Sequence, residues 1–329
     1  MKHLLHILAL TFAAFLAASC EYEIGEVDEN SKNQLIINAL MTAQGQDNYV
    51  ELHLTGTTKT TPVRNAQVKI FINGSLAEEA TSDTCIYKIK SLFASGDKVR
   101  IEASDGQHSA SAETTVPEAV TVLSVDSADV WFDNENYTRY FIKIKDPSSL
   151  KETKYYRLSV VREQHKVNGA YYHDNELYYV SYSTAIDNNY SYYSDIALSE
   201  GMSKKSKDYE NMDAIELVEE VKNVFGLFRS SYFSNGEYTL NIDLKEWWGH
   251  DVKGDAEDIH FEIRAIPESE YYYLQAVSVF QNYEEGVMLT PAPIVPSNVK
   301  GGTGIFSVSA MAETTISRGK KLEIGDKIW

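Results

Sequence analysis

The chain has 329 residues, of which 43% are hydrophobic, 24% charged and 12% aromatic. These proportions exclude wholesale disorder and a collagen-like chain, and the length allows about two domains with a sizeable core. With 30 Lys and Arg against 48 Asp and Glu, the net charge of −18 argues against nucleic acid as a partner, because phosphate binding needs a basic face.

Residues 1–19 read as a secretory signal. Lys2 and His3 make a short positive start, and Ile7 to Leu16 is apolar except for Thr11. That run is shorter than the roughly 20 apolar residues of a membrane span. Ala17-Ala18-Ser19-Cys20 follows, with small residues that fit a peptidase groove and a thiol that can carry lipid. It resembles a bacterial lipobox, with Ala17 where leucine is commonest. Several acyl chains on Cys20, at about 0.8 kcal/mol per buried CH₂, would hold the chain to a bilayer. Residues 20–33 form an acidic tether with Glu21, Glu23, Glu26, Asp28 and Glu29. It resembles the acidic signal that sends lipoproteins of Bacteroidetes-type bacteria to the outer face of the outer membrane; a solvated spacer is the alternative. With Cys20 lipidated, Cys85 has no internal disulfide partner and reads as a buried, inert thiol beside Tyr87 and Ile89.

The body alternates in the manner of strands. Tyr49–Leu54 places Val50, Leu52 and Leu54 inward. Ala66–Ile72 alternates and runs into Asn73-Gly74, a hairpin signal because both central residues take φ > 0. Lys98–Ala103 repeats the pattern. About seven strands between Leu35 and Val116 predict an N-terminal immunoglobulin- or transthyretin-like β-sandwich over 34–117. Residues 118–329 predict a second, larger β-sandwich-like domain, with strands at Tyr140–Ile144, Tyr156–Val160, Tyr238–Ile242 and Ile259–Ile263. Asn168-Gly169 and Asn235-Gly236 predict further hairpin turns. A Tyr-rich insertion occupies about 165–195. Helical spacing appears over 208–228, at Ile215, Val218, Val221 and Phe225. It appears again over 268–281, where Tyr273, Leu274, Val277 and Phe280 share a face. The fold class is therefore mainly β with one or two short helices.

Several segments resemble a known family. They are Leu35-Ile36-Ile37-Asn38-Ala39, Pro62-Val63-Arg64-Asn65-Ala66-Gln67-Val68, Tyr271-Tyr272-Tyr273-Leu274, and the run from Pro293 through Lys300-Gly301-Gly302-Thr303-Gly304 to Phe306. With the lipobox and acidic tail, they resemble Bacteroidetes-type outer-membrane lipoproteins catalogued as a domain of unknown function. The resemblance implies a place beside TonB-dependent outer-membrane transporters and a part in nutrient capture, and it transfers no catalytic or binding residues. On physical grounds the Gly301–Gly304 segment is a tight structural loop feeding a strand at Ile305–Ala310. It lacks the Gly-Lys-Ser/Thr ending and following helix of a phosphate cradle.

Catalytic motifs are missing: there is no Gly-x-Ser-x-Gly, His-Glu-x-x-His or Cys-x-x-Cys. His165 and His173, flanking the expected Asn168-Gly169 turn with Asp174 and Glu176 nearby, could share a metal but read as a solvated hairpin. His250 to Asp258 is an acidic stretch without EF-hand spacing and reads as a solvated loop. Neither metal nor cofactor is expected. Tyr171, Tyr172, Tyr178, Tyr179, Tyr182, Tyr190, Tyr192 and Tyr193 form the most unusual stretch. They are either a surface for gripping a glycan or peptide, or simply strand-forming residues. Trp247 and Trp248 are a second candidate, one on each face of a strand. The expectation is a non-enzymatic, lipid-anchored protein facing the cell exterior. It would bind a ligand or serve a TonB-dependent transporter; the alternatives are a surface glycan hydrolase and an adhesin or assembly subunit.

Overall fold

The computed structural model describes residues 33–45, 47–56, 59–132, 135–147, 152–173, 176–187, 193–194, 223, 225–245, 256–284 and 294–319. Side chains between 166 and 222 lie outside the description, and there only the backbone path is used.

Eight strands come first: β1 (Leu35–Thr42), β2 (Tyr49–Leu54), β3 (Thr61–Pro62), β4 (Gln67–Ile72), β5 (Ser75–Ala80), β6 (Ile86–Lys88), β7 (Lys98–Ser104) and β8 (Ser109–Thr115). The longer strands β9 (Thr121–Phe132), β10 (Glu135–Lys145), β11 (Tyr155–His173) and β12 (Glu176–Asp187) follow. Then come the short β13 (Tyr193–Ser194) and β14 (Leu227–Arg229), β15 (Glu237–Lys245), β16 (Ala256–Ile266), helix α1 (Glu268–Glu284) and the final β17 (Gly302–Arg318). The protein is mainly β.

The strands build three sheets. One four-stranded sheet has the order β5-β4-β7-β8, and another has the order β13-β15-β10-β9. The largest sheet runs β12-β11-β16-β17-β1-β2-β3, with β14 also on β11 and β6 on β2. The long strand β17 holds it together. Gly302–Ser309 pair in parallel with Leu35–Thr42, and Ala310–Arg318 pair antiparallel with Ala265–Glu257. From Ile305 to Ala310 every residue of this strand is buried, so both of its faces are covered there.

Two cores sit on the two halves of β17. The first gathers Leu35, Ile37, Val50, Leu52, Val68, Ile70, Val99 and Ile101 around Phe306 and Val308. The second gathers Tyr140, Ile142, Tyr156, Leu158, Leu240, Ile242, Phe261 and Ile263, with Ala312 and Ile316 of β17 against it. Burying a side chain the size of Phe306 contributes about 1.5–3 kcal/mol, so the strand is held by what it packs as well as by its ladders.

Glycine and asparagine set the geometry where β17 begins. A Cβ at Gly302 or Gly304 would collide with the carbonyl oxygen of Leu35 or Ile37 across the parallel ladder, and Gly304 also takes φ 108°. The Asn298 side chain clamps Phe306: its amide nitrogen donates to the Phe306 carbonyl at 2.7 Å, and its oxygen accepts from the Phe306 N–H at 2.9 Å. Lys300 and Ser111 exchange backbone hydrogen bonds of 2.7 and 3.0 Å, which ties this segment to β8. The strand thus starts at Gly302 and runs past the Ile305–Ala310 expected from sequence.

Several sequence expectations need correction. Asn73-Gly74 and Asn235-Gly236 do form the positive-φ turns their composition predicts. Asn168-Gly169 does not: both residues lie inside β11, where the ladder to β12 shifts register between Val167 and Ala170. The reason is that a bulge absorbs an asparagine–glycine pair as readily as a turn does. The helix expected over 208–228 does not reach its predicted end, because Leu227 and Phe228 are buried strand residues paired with β11, Leu227 clustering with Tyr271 and Leu274 and Phe228 entering the second core. The rest of that segment lies outside the described residues apart from Asn223, Phe225 and Gly226. Asp258, expected in a loop, is a strand residue of β16. Helix α1 forms as expected. Its fully buried positions, however, are Glu270, Tyr271, Leu274 and Ser278, while Tyr273 and Val277 are half-buried. The face that packs is set by contacts to β11 and β17, which local periodicity does not contain.

Gly304→Ala is expected to destabilise the fold by about 2–4 kcal/mol, because both the contact and the φ oppose a side chain. Gly74→Ala, at a turn with nothing near the new Cβ, should cost only about 1–2 kcal/mol of backbone strain. Urea unfolding midpoints of the two variants check this, and equal losses would be inconsistent with a close β1–β17 approach.

Candidate functional site

Strand alternation divides the β11-β16-β17 region into two chemically different faces. One face carries Leu158, Val160, Ile259, Phe261, Ile263 and Ile316 into or against the second core. The other is polar. The register aligns Glu163 with Asp258, Val161 with His260, Asp258 with Ser317, His260 with Thr315 and Glu262 with Glu313. Three neighbouring strands therefore bring two histidines and four carboxylates onto one surface.

The geometry there is specific. His165 Nε2 lies 3.4 Å from Asp258 Oδ2 and 3.6 Å from Glu163 Oε1. The His165 side chain is 8% exposed and that of Asp258 13%. The other Asp258 oxygen, Oδ1, accepts from the Ser317 hydroxyl at 2.7 Å. His260 Nε2 lies 3.9 Å from Glu163 Oε2, while its Nδ1 is 2.8 Å from Glu313 Oε1 and 3.0 Å from the Thr315 hydroxyl. Glu163 and Asp258 stand directly opposite each other across the ladder, a placement that like charges make unfavourable unless a cation sits between them. The His165 ring approaches both, and one ligand atom from each of the three residues lies within 4.8 Å of the others. The arrangement can hold a proton or a cation.

Beneath this surface, on the core side, Arg162 and Glu257 form a buried pair at 2.5 Å. Arg318 adds a second cation 3.3 Å from Glu257 and donates from Nε to the Tyr140 hydroxyl at 2.8 Å. Farther along the sheet the Tyr156 hydroxyl donates to Asp146, and burial followed by that acceptor pushes its ionisation well above the ordinary range. These groups are locked into structural pairs. They fix the strands on which the polar face is built.

A second buried acid lies at the start of α1. Glu270 is 2% exposed, accepts from the Ser307 hydroxyl at 2.5 Å and sits 3.9 Å from Arg157. Burial raises its carboxyl above the ordinary 4.5, against the opposing pull of Ser307, Arg157 and Arg264. This group joins the helix to β17 and β11.

Two other features were weighed. A shallow cleft of about 410 Å³ is lined by Lys69, Glu102, Ser109 and Lys300 among others. Glu51, His53 and Cys85 form a smaller cluster, with His53 Nε2 2.8 Å from Glu51 Oε1. Cys85 there is half-buried, so it is less enclosed than its sequence neighbours suggest.

The predicted site residues fall unevenly on this framework. His165 and His173 do not flank a turn: both belong to β11, eight positions apart, about 26 Å at strand rise. They cannot share one metal. Instead His165 meets Asp258, a residue from the other stretch considered for metal binding. Tyr171 and Tyr172 are on β11 and Tyr178, Tyr179 and Tyr182 on β12, with Tyr171 in register opposite Tyr178 and Val167 opposite Tyr182. Tyr193 lies in β13, paired with Asp243. Cys20, Tyr190, Tyr192, Trp247 and Trp248 lie outside the described residues. Glu163, His260 and Glu313 were not picked out from sequence. The only local signal for them is alternation of charged and imidazole side chains with apolar ones in β11 and β16.

A sequence model for a family described as a domain of unknown function, DUF4249, matches residues 21–315. The chain belongs to the DUF4249 family. The match spans β1 to Thr315 of β17, so the DUF4249 region contains both cores and most of the polar face. No curated protein and no solved structure matches the chain. Among the described residues of this DUF4249 chain, no helix is long and apolar enough to cross a membrane.

The Glu270 proton gives a measurable pH dependence. The folded state holds that proton more tightly than the unfolded chain, so the carboxyl is harmless below pH 4.5. Stability then falls as pH rises from there through the folded-state pKa, and stays lowered above it. Glu270→Gln cannot ionise yet keeps a carbonyl for Ser307. The stability difference, variant minus parent, should rise with pH above 4.5 and then level off. Urea titrations between pH 4 and 8 check this; parallel curves would refute it.

Proposed function

We propose that this DUF4249 chain is a lipid-anchored, non-enzymatic binding protein on the outer face of an outer membrane. It captures a ligand, or assists a TonB-dependent transporter in nutrient uptake. The observation that carries this reading is Ala17-Ala18-Ser19-Cys20 after a short apolar run, with the family match beginning at the next residue, Glu21. The family domain starting there is what a mature chain with an acylated first cysteine would present. The acidic tether at Glu21 to Glu29 supports display away from an anionic bilayer surface.

The two cores support a finer description of the body as two sandwich-like units, the first of immunoglobulin or transthyretin type. Each core draws side chains from a four-stranded sheet and from one half of the largest sheet. The binding surface in this reading is on β11. That strand carries the polar face at Glu163 and His165 and, beyond the bulge at Val167–Ala170, Tyr171 and Tyr172, about 20 Å along the chain from His165. Tyrosine rings with polar tips suit glycan or peptide ligands.

Mass spectrometry of the protein extracted from native membranes should find residues 1–19 removed and Cys20 acylated. Protease added to intact cells should then degrade the body. Affinity purification from native outer membranes should recover a TonB-dependent transporter. An unmodified Cys20 thiol would overturn the anchor, and a protease-resistant body would overturn the outward placement. Absence of both a transporter and any bound glycan or peptide would overturn the binding role.

A further inference from the structure

We infer that Glu163, His165 and Asp258 form a binding site for one divalent transition-metal cation of the zinc class. This goes beyond the function proposed above and stands whether or not the chain is lipidated.

Three observations support the inference. The first is distance. Zinc bonds to nitrogen and oxygen of about 2.0–2.1 Å, arranged tetrahedrally, place neighbouring ligand atoms about 3.3–3.4 Å apart. A charge-assisted hydrogen bond would bring the same atoms to about 2.7–2.9 Å. His165 Nε2 stands 3.4 Å from Asp258 Oδ2, a long hydrogen bond, and 3.6 Å from Glu163 Oε1, both near the spacing of shared ligands.

The second is the orientation of the remaining atoms. Asp258 turns Oδ1 to the Ser317 hydroxyl and Oδ2 toward His165. The far oxygen of Glu163 faces His260, whose other nitrogen is held by Glu313 at 2.8 Å. Metal ligands are commonly steadied in this way by outer hydroxyl, imidazole and carboxylate groups. Three protein ligands leave a fourth position for water or for a donor atom of a ligand.

The third is charge. Two carboxylates stand directly opposite across a ladder, Asp258 13% and Glu163 32% exposed, and a cation between them would relieve their repulsion. One imidazole and two carboxylate oxygens form a donor set that suits zinc, manganese or iron in the divalent state. Glu51, His53 and Cys85 are the competing cluster, and they lie on β2 and beside β6, at the other end of the large sheet.

The test uses the detergent-extracted full-length protein, stripped with chelator and titrated with zinc sulfate by calorimetry. One equivalent is expected to bind. Cobalt(II) in its place should give the visible absorption of a four-coordinate ion. Asp258→Asn and Glu163→Gln should each weaken zinc about tenfold or more and remove the cobalt bands. His165→Gln should do the same, and the two carboxylate variants carry the test if it does not fold. His53→Ala with Cys85→Ser should leave both signals unchanged. The inference is overturned if no stoichiometric zinc binds, if the carboxylate variants bind as the parent does, or if binding is lost in the His53 and Cys85 variant instead.

Discussion

The parallel pairing of Gly302–Ser309 with Leu35–Thr42 is the constraint on which the rest of this structure depends. It closes the chain on itself, because the last described strand lies beside the first. The approach is close enough that Gly302 and Gly304 have no room for a Cβ against the carbonyls of Leu35 and Ile37. Asn298 and the Lys300–Ser111 exchange hold the incoming segment at the right height. Once that register is set, Phe306 and Val308 enter the first core, and the same strand continues to place Ala312 and Ile316 against the second.

The polar face follows from this continuity. Thr315 and Ser317 of β17 stand opposite His260 and Asp258 of β16 because Ala310–Arg318 inherit their register from the strand that began at Gly302. The core side of the same strands carries the Arg162–Glu257–Arg318 cluster, in which one buried acid serves two guanidiniums. Removing one partner from such a cluster leaves an unpaired buried charge, so the pairing fixes the strands firmly. A surface of paired carboxylates and imidazoles on rigid strands differs in kind from the tyrosine hairpin beyond it, although one strand carries both.

Much of the local structure was legible in the residues. Alternation in Tyr49–Leu54, Gln67–Ile72 and Lys98–Ser104 reads directly as strand, since a half-buried ladder demands period two. Asn73-Gly74 and Asn235-Gly236 read as turns because few other pairs take positive φ at both positions. The same rule misplaced Asn168-Gly169, which a bulge accommodates inside β11. Periodicity found α1 and placed Tyr273, Leu274, Val277 and Phe280 on its packing face, of which Leu274 is buried and Tyr273 and Val277 are half-buried. The buried Glu270 and Ser278 belong to a face that only the contact with β17 selects.

By itself, the sequence determined the composition class, the β character and the positions of strands such as Tyr49–Leu54 and, within Ala256–Ile266, Ile259–Ile263, because each depends on neighbours a few residues apart. Only the tertiary structure decided that residues 93 positions apart, His165 and Asp258, would share a site. The tertiary structure also decided that β17 would serve two cores. The physical reason is that strand pairing joins distant segments through backbone hydrogen bonds whose register no local pattern specifies. Which side chains meet is therefore set by how the ladders stack and by the close glycine approach at β1.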